Sequence, residues 1–173
     1  MSHAIRFLAF FVLMLLPACR PGEQGTAVIQ GTQPGSKISG TATLMPVTNG
    51  LKISIRVANV PPGTHGIHFH EQGNCGDAGK AAGGHYNPDG VKHGFLPKDG
   101  FGAAHTGDLG NIKVGKDGTG RLELTIAGLS LREGPHSVAD HSIILHEKAD
   151  DFGQPTGNAG GRIGCGVITV KDH

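Results

Sequence analysis

Residues Leu51 to Gln72 read L-K-I-S-I-R-V-A-N-V-P-P-G-T-H-G-I-H-F-H-E-Q. Leu51, Ile53, Ile55 and Val57 alternate with Lys52, Ser54 and Arg56, and Val60 continues the pattern less regularly. A period of two is the mark of a half-buried strand. Pro61-Pro62-Gly63 makes a turn, and His65–Glu71 reads as the next strand. Side chains two apart on a strand point the same way, so His68 and His70 project from one face. Two imidazoles fixed by one rigid element can grip a metal ion.

Outward from this stretch the chain keeps the same character. It has 173 residues, enough for one domain with a sizeable core. Its 30 glycines far exceed the usual share of about 7%, and with 10 prolines they imply many turns. Amphipathic helix is not evident. Upstream, Thr26–Gln30 and Lys37–Met45 read as strands that form a meander with Leu51–Val60. Downstream, Asn111–Gly115 and Arg121–Ala127 flank the hairpin turn K-D-G-T-G, and Ser142–His146 and Arg162–Val170 complete eight strands. The expected fold is all-β, an eight-stranded antiparallel sandwich or barrel. One long segment, Gln72 to Gly110, is rich in Gly and poor in β-branched runs. Loops of that size are functional or disordered, and this one carries His, Asp and Cys; a metal and a disulfide would hold it.

The N-terminus reads as a targeting segment. Arg6 precedes the ten apolar residues Phe7 to Leu16, too few to span a bilayer comfortably. Leu16-Pro17-Ala18-Cys19 resembles a bacterial lipobox, with cleavage before Cys19 and lipid on its thiol. The expected organisation is a leader over 1–18, a tether over 19–25 and one domain over 26–173. The protein would be exported to the periplasm or cell envelope and anchored to a membrane through Cys19, since several acyl chains anchor stably where one is marginal. If Cys19 of the 3 cysteines is lipidated, Cys75 and Cys165 remain, and an oxidising compartment favours their pairing. The leader removes one of 15 basic side chains, Arg6, and leaves the rest balanced against 14 acidic ones. With no basic block, nucleic acid is not an expected partner.

Six of the 11 histidines are well placed for metal chemistry. His68 and His70 share a strand face. His85 opens H-Y-N-P, His93 follows in V-K-H-G, His105 stands three residues before Asp108 in H-T-G-D, and His146 ends S-I-I-L-H. Three His and one Asp would close a tetrahedral zinc site, and a site of His alone suits redox copper. His65, His136, His141 and His173 read as solvated, and His3 falls in the leader.

Together the segments G-I-H-F-H-E, G-G-H-Y-N-P, H-T-G-D-L-G-N, I-I-L-H-E-K-A-D-D and G-N-A-G-G-R-I-G-C-G-V-I resemble the copper/zinc superoxide dismutase family of bacteria, over about residues 24 to 170. The resemblance implies an eight-stranded antiparallel Greek-key barrel and an enzyme with copper and zinc cofactors and superoxide anion as substrate. Copper would be bound by His68, His70, His85 and His146. Zinc would be bound by His85, His93, His105 and Asp108, with the His85 imidazolate bridging the two ions. Asp150 would link His68 and His93, and Cys75 and Cys165 would form the family disulfide. Arg162 would stand over the copper, and Arg162 and His85 would be the catalytic side chains. In the implied cycle copper oxidises one superoxide to O2 and reduces another, and His85 supplies a proton towards H2O2. A positive cleft speeds encounter with an anion, and Lys148 is a candidate contributor. The loop Phe152–Gly157 is shorter than the charged guiding loop of eukaryotic relatives. Subunit contacts vary among bacterial members, so monomer and homodimer both stay open.

Two other functions fit a metal-binding fold. A copper-delivery protein would not need four copper ligands and Arg162. A zinc hydrolase would need an open zinc position and a general base, and no H-E-x-x-H helix is visible.

Overall fold

The computed structural model describes residues 22–171. The segment 1–18 expected to be a leader, with His3, lies outside them, as do Cys19 and His173. The strands are β1 Gln24–Gly31, β2 Ser39–Val47, β3 Gly50–Ala58, β4 Gly63–His70, β5 Asp108–Val114, β6 Gly120–Ala127, β7 Ser142–His146, β8 Arg162–Val167 and β9 Thr169–Lys171. Their order in the sheet is β2-β3-β6-β5-β4-β7-β8-β1-β9, and β1 also pairs with β2. The first eight strands therefore close into an antiparallel barrel without an open edge.

The expected eight strands are present, with one addition. The run Arg162–Val170 is not continuous. It breaks at Ile168, whose N–H donates to His141 O (2.9 Å) and whose C=O accepts from Asp140 N–H (3.0 Å). Thr169–Lys171 then resumes beside Gln24–Thr26 of β1, so Gln24 and Gly25 are strand residues where the sequence suggested a tether. The Pro61-Pro62-Gly63 turn does not form a hairpin, because β6 and β5 lie between β3 and β4. That crossing, and the return from β6 to β7, make the Greek key.

Alternation sorts the side chains. Leu51, Ile53, Ile55 and Val57 of β3 are at most 3% exposed and meet Ala42 and Leu44 of β2 in the core. On β4, Ile67 and Phe69 enter the same core, each contributing roughly 1.5–3 kcal/mol on burial. His68 and His70 take the outer face of β4, yet are buried too, because long loops roof that wall. β7 repeats the arrangement: Ile143 and Leu145 point inward, while Ile144 packs outside with Ala82, Cys75 and Cys165.

The roof over residues 71–107 contains a 3-10 segment, Asp77–Ala82, and a four-residue helix, Leu96–Asp99. Cys75 and Cys165 form a disulfide that pins it to β8, with Cα atoms 5.7 Å apart. It also bonds directly to β4. Phe69 N–H donates to Gly107 O (3.0 Å) and Phe69 O accepts from Tyr86 N–H (2.9 Å). A Cβ on Gly107 would sit 2.2 Å from Phe69 O, so only glycine permits this approach. An isolated bridge pairs His70 with His85 and delivers the loop histidine to the strand histidines.

Three histidines expected in solvent are not there. His65 is 4% exposed, with Nδ1 2.9 Å from His146 O and Nε2 2.8 Å from Pro61 O. His141 is half-buried, stacks on Tyr86 (ring centroids 3.9 Å) and holds His70 O through Nδ1 (3.0 Å). His136 stacks on Phe101 (3.7 Å) and pairs with Asp89 (2.8 Å). The rings of His141 and His136 cover aromatic surface, and in all three residues ring nitrogens meet polar groups of other segments.

Candidate metal centre

Four imidazoles converge on the outer wall of the barrel. His68 and His70 come from β4, His146 from the end of β7 and His85 from the roof loop, and one ring nitrogen of each lies within 4.8 Å of the others. Their second nitrogens are already committed. His70 Nδ1–H donates to Gly83 O (3.0 Å), His146 Nδ1–H to Gly160 O (3.3 Å) and His68 Nε2–H to Asp150 Oδ2 (2.8 Å). Such bonds fix the tautomer and leave the lone pair on the opposite nitrogen. Those opposite nitrogens, His68 Nδ1, His70 Nε2 and His146 Nε2, are buried with no hydrogen-bond partner. A buried polar atom without a partner is costly, and a metal ion would satisfy all three.

The second group is His85, His93, His105 and Asp108, again within 4.8 Å. Asp108 Oδ2 accepts from the N–H groups of Gly94 and His105 (2.9 Å each). That aims Oδ1 at the three Nδ1 atoms, at 2.9 Å from His85 and His93 and 3.2 Å from His105. The Nδ1 atoms of His93 and His105 lack hydrogen-bond alignment despite that closeness. Tetrahedral zinc with ligands near 2.0–2.1 Å would space them about 3.3 Å apart. The donor set, three imidazoles and one carboxylate, is one that zinc takes. Of six buried side-chain N and O atoms without a partner among the described residues, five are ring nitrogens of these two groups. The residues present fit both ions.

His85 belongs to both groups. Its Nδ1 faces Asp108 (2.9 Å), and the two nitrogens of an imidazole diverge, so Nε2 is left for the His68–His70–His146 side. Asp150 joins the groups a second time, with Oδ2 2.8 Å from His68 Nε2 and Oδ1 2.9 Å from His93 Nε2. Asn111 on β5 holds Asp150 in turn. It accepts from Asp150 N–H (2.8 Å) and donates to Asp150 O (2.9 Å).

Burial sets the charge states. It pushes His70 down to about 2, His146 to about 3 and His85 to about 4, and lowers His68, with neighbouring imidazoles adding to the effect. All four are neutral near pH 7, the state a metal ligand needs. Burial also opposes charge on His93, but Asp108 and Asp150 outweigh it and raise His93 to about 9. Burial likewise opposes charge on the two carboxylates, and their imidazole and amide partners overcome it, holding both well below the usual range.

A cavity of ≈ 200 Å³ opens onto the first group, lined by His70, His85, His146, Asn158, Gly160 and Arg162. Arg162 starts β8 and is held over it by three main-chain bonds. Its Nη1 and Nη2 donate to Gly79 O and Gly83 O (2.6 Å each), and its own carbonyl accepts from Thr32 Oγ1 (2.6 Å). Burial lowers its pKa, yet a guanidinium stays charged at neutral pH. Lys148 does not line this cavity; its stem lies beside Gly160, which does, with the Glu147 carboxylate equally close to Gly160.

Each candidate within residues 22–171 lies in this assembly: the seven metal-ligand candidates, Asp150, Arg162 and the cysteine pair. Sequence reasoning missed Asn111, although it stands in the quoted H-T-G-D-L-G-N. It also missed Gln154, which accepts from His93 N–H (3.1 Å) and donates to His93 O (2.8 Å); no local pattern marks that residue.

Comparison with known proteins agrees with this geometry. The profile described as copper/zinc superoxide dismutase matches residues 38–168. A protein of Deinococcus radiodurans named superoxide dismutase [Cu-Zn] is 38% identical over 163 residues, 88% of this chain and 89% of the relative. Among solved structures, the crystal structure of the clock protein EA4 superposes with a TM-score of 0.75 at 35% identity, covering 86% of this chain and 94% of that one.

Proposed function

The chain belongs to the copper/zinc superoxide dismutase family, and we propose that His68, His70, His85 and His146 hold its copper while His85, His93, His105 and Asp108 hold its zinc. The reaction takes two superoxide anions and two protons to O2 and H2O2. The observation that carries the assignment is the convergence of partnerless ring nitrogens into two groups that share His85.

Bound copper supplies a one-electron couple, and bound zinc supplies fixed charge without redox chemistry. The chain supplies the rest. Asp150 and the carbonyls of Gly83 and Gly160 hold the copper-side rings in the tautomer that presents a lone pair. His85 Nε2 faces the reacting side and is the atom that takes up a proton and passes it on, while Nδ1 stays against Asp108. Arg162 offers fixed positive charge at the cavity, where a small anion would be drawn to it. A copper-delivery protein would have no use for an arginine fixed in this way.

The test is the full chain, loaded with copper and zinc, in a stopped-flow assay of superoxide decay. His146→Ala removes one copper ligand and is expected to abolish the fast decay; an unchanged rate would put copper elsewhere.

We also propose export and anchoring through Cys19 to a membrane of the periplasm or cell envelope. The apolar run after Arg6 and the L-P-A-C sequence support it, as does the Cys75–Cys165 disulfide, which suits an oxidising compartment. Radiolabelled palmitate is expected on the wild-type precursor and not on Cys19→Ser. Label on both would remove the lipoprotein reading.

A further inference from the structure

Gln154 lies on the surface, in a segment with no ligand of either group, yet it makes two hydrogen bonds of opposite sense to one residue 61 positions away. Its Oε1 accepts from His93 N–H at 3.1 Å and its Nε2 donates to His93 O at 2.8 Å. Among the described residues the His93 main chain has no other hydrogen-bond partner. A solvated surface glutamine has no reason to adopt this strand-like pairing, which costs its side chain rotamer freedom.

The segment carrying Gln154 is closed on itself. Asp151 N–H donates to Gly157 O (2.9 Å), Gly157 N–H to Gly153 O (2.7 Å) and Asn158 Nδ2 to Asp151 Oδ2 (3.0 Å). It lies directly over the zinc side. The Phe152 ring stacks on the His93 ring, with centroids 6.4 Å apart and planes at 18°. Gly157 is buried at φ 75°, and a Cβ there would fall 1.8 Å from Asp150 Oδ1 and 2.7 Å from His93 Nε2. His93 is thus gripped at its ring by Asp150 and at its main chain by Gln154. Two points of attachment decide where Nδ1 points.

We infer that Gln154 is a positioning residue for zinc, acting through the main chain of His93. The inference rests on the proposed zinc site. Partners that orient a metal ligand change metal affinity by roughly 10–100-fold when removed. A main-chain grip with ring and carboxylate intact belongs at the lower end, about 10-fold.

The experiment uses the full chain with intact disulfide and two probes. Zinc transfer to a chromophoric chelator gives the release rate, and cobalt(II) in the zinc position gives a visible absorption that reports ligand geometry. Gln154→Ala is expected to release zinc about 10-fold faster and to alter the cobalt band, with the melting temperature of the metal-free protein unchanged. Gln154→Glu keeps the acceptor and loses the donor, so it should fall between. Wild-type release and an unaltered band in Gln154→Ala would overturn the inference alone. Faster release matched by an equal fall in metal-free stability, with the cobalt band unaltered, would make Gln154 merely structural and overturn it too. No cobalt band in the wild-type chain would overturn the zinc site itself and the inference with it.

Discussion

His68 Nε2 lies 2.8 Å from Asp150 Oδ2. The other oxygen of that carboxylate lies 2.9 Å from His93 Nε2, so one side chain sets the tautomer of a copper-side ring and of a zinc-side ring together. Asp150→Ala should weaken zinc binding by roughly 10–100-fold, and Asp150→Asn, which can accept on one side only, by less. Competition against a chelator of known affinity measures this. Equal affinity in all three proteins would contradict the link.

Asn111 secures the same carboxylate from behind by two bonds to the Asp150 main chain. Asn111→Ala removes both and leaves polar main-chain groups exposed to a poor partner set, a loss of about 1–3 kcal/mol. Denaturant unfolding of the metal-free protein reads it directly, as a lower midpoint at unchanged slope.

What was legible in the sequence was what repeats locally. The alternation of Leu51, Ile53, Ile55 and Val57 shows which face is buried, and the spacing of His68 and His70 shows that both leave the opposite kind of face from Ile67 and Phe69. The candidate ligand set followed from residue type and from the family resemblance that the motifs carry. The clamps did not, because Asn111 and Gln154 act on main-chain groups 39 and 61 positions away, where neither period nor composition reaches. The break at Ile168 was hidden for a related reason: it is imposed by the backbone of Asp140 and His141, while Arg162–Val170 by itself reads as one apolar run. His65 opens a strand beside a turn, and nothing in that position announces the carbonyl of His146, 81 positions away, that its ring meets.

The metal-free fold should weaken on acidification. His70, His146 and His85 are lowered to about 2, 3 and 4, against about 6.5 in the unfolded chain. Below about pH 6.5 the unfolded state binds more protons, so stability falls as pH falls. His93 acts oppositely. Raised to about 9, it favours the fold fully below about pH 6.5 and loses that contribution as pH rises through about 9. Calorimetry of chelator-treated protein is expected to show a melting temperature that drops from about pH 6.5 towards pH 4; a flat profile would contradict the burial of these rings.

Reduction should loosen the roof. The Cys75–Cys165 bridge closes a loop of 90 residues, which the chain-entropy model values at about 4–5 kcal/mol. A melting curve in excess reductant is expected to shift well below the untreated one, and coincident curves would show that the bridge does not constrain the unfolded chain.

Gly157→Ala tests the close approach over the zinc side. Its Cβ would meet Asp150 Oδ1 at 1.8 Å, at a φ of 75° that alanine resists. Overpacking of this kind costs about 1–3 kcal/mol, and the displaced carboxylate should release His93, so zinc content after purification is expected to fall together with stability.

The sharing of His85 by two ions is tested most directly by crystals of the copper- and zinc-loaded chain, with anomalous-difference maps recorded on both sides of each metal edge. The result expected is a copper peak among His68, His70 and His146, a zinc peak among His93, His105 and Asp108, and the His85 ring between them with Nε2 towards copper and Nδ1 towards zinc. A single peak, or two peaks that leave the His85 ring in contact with neither, would contradict the account.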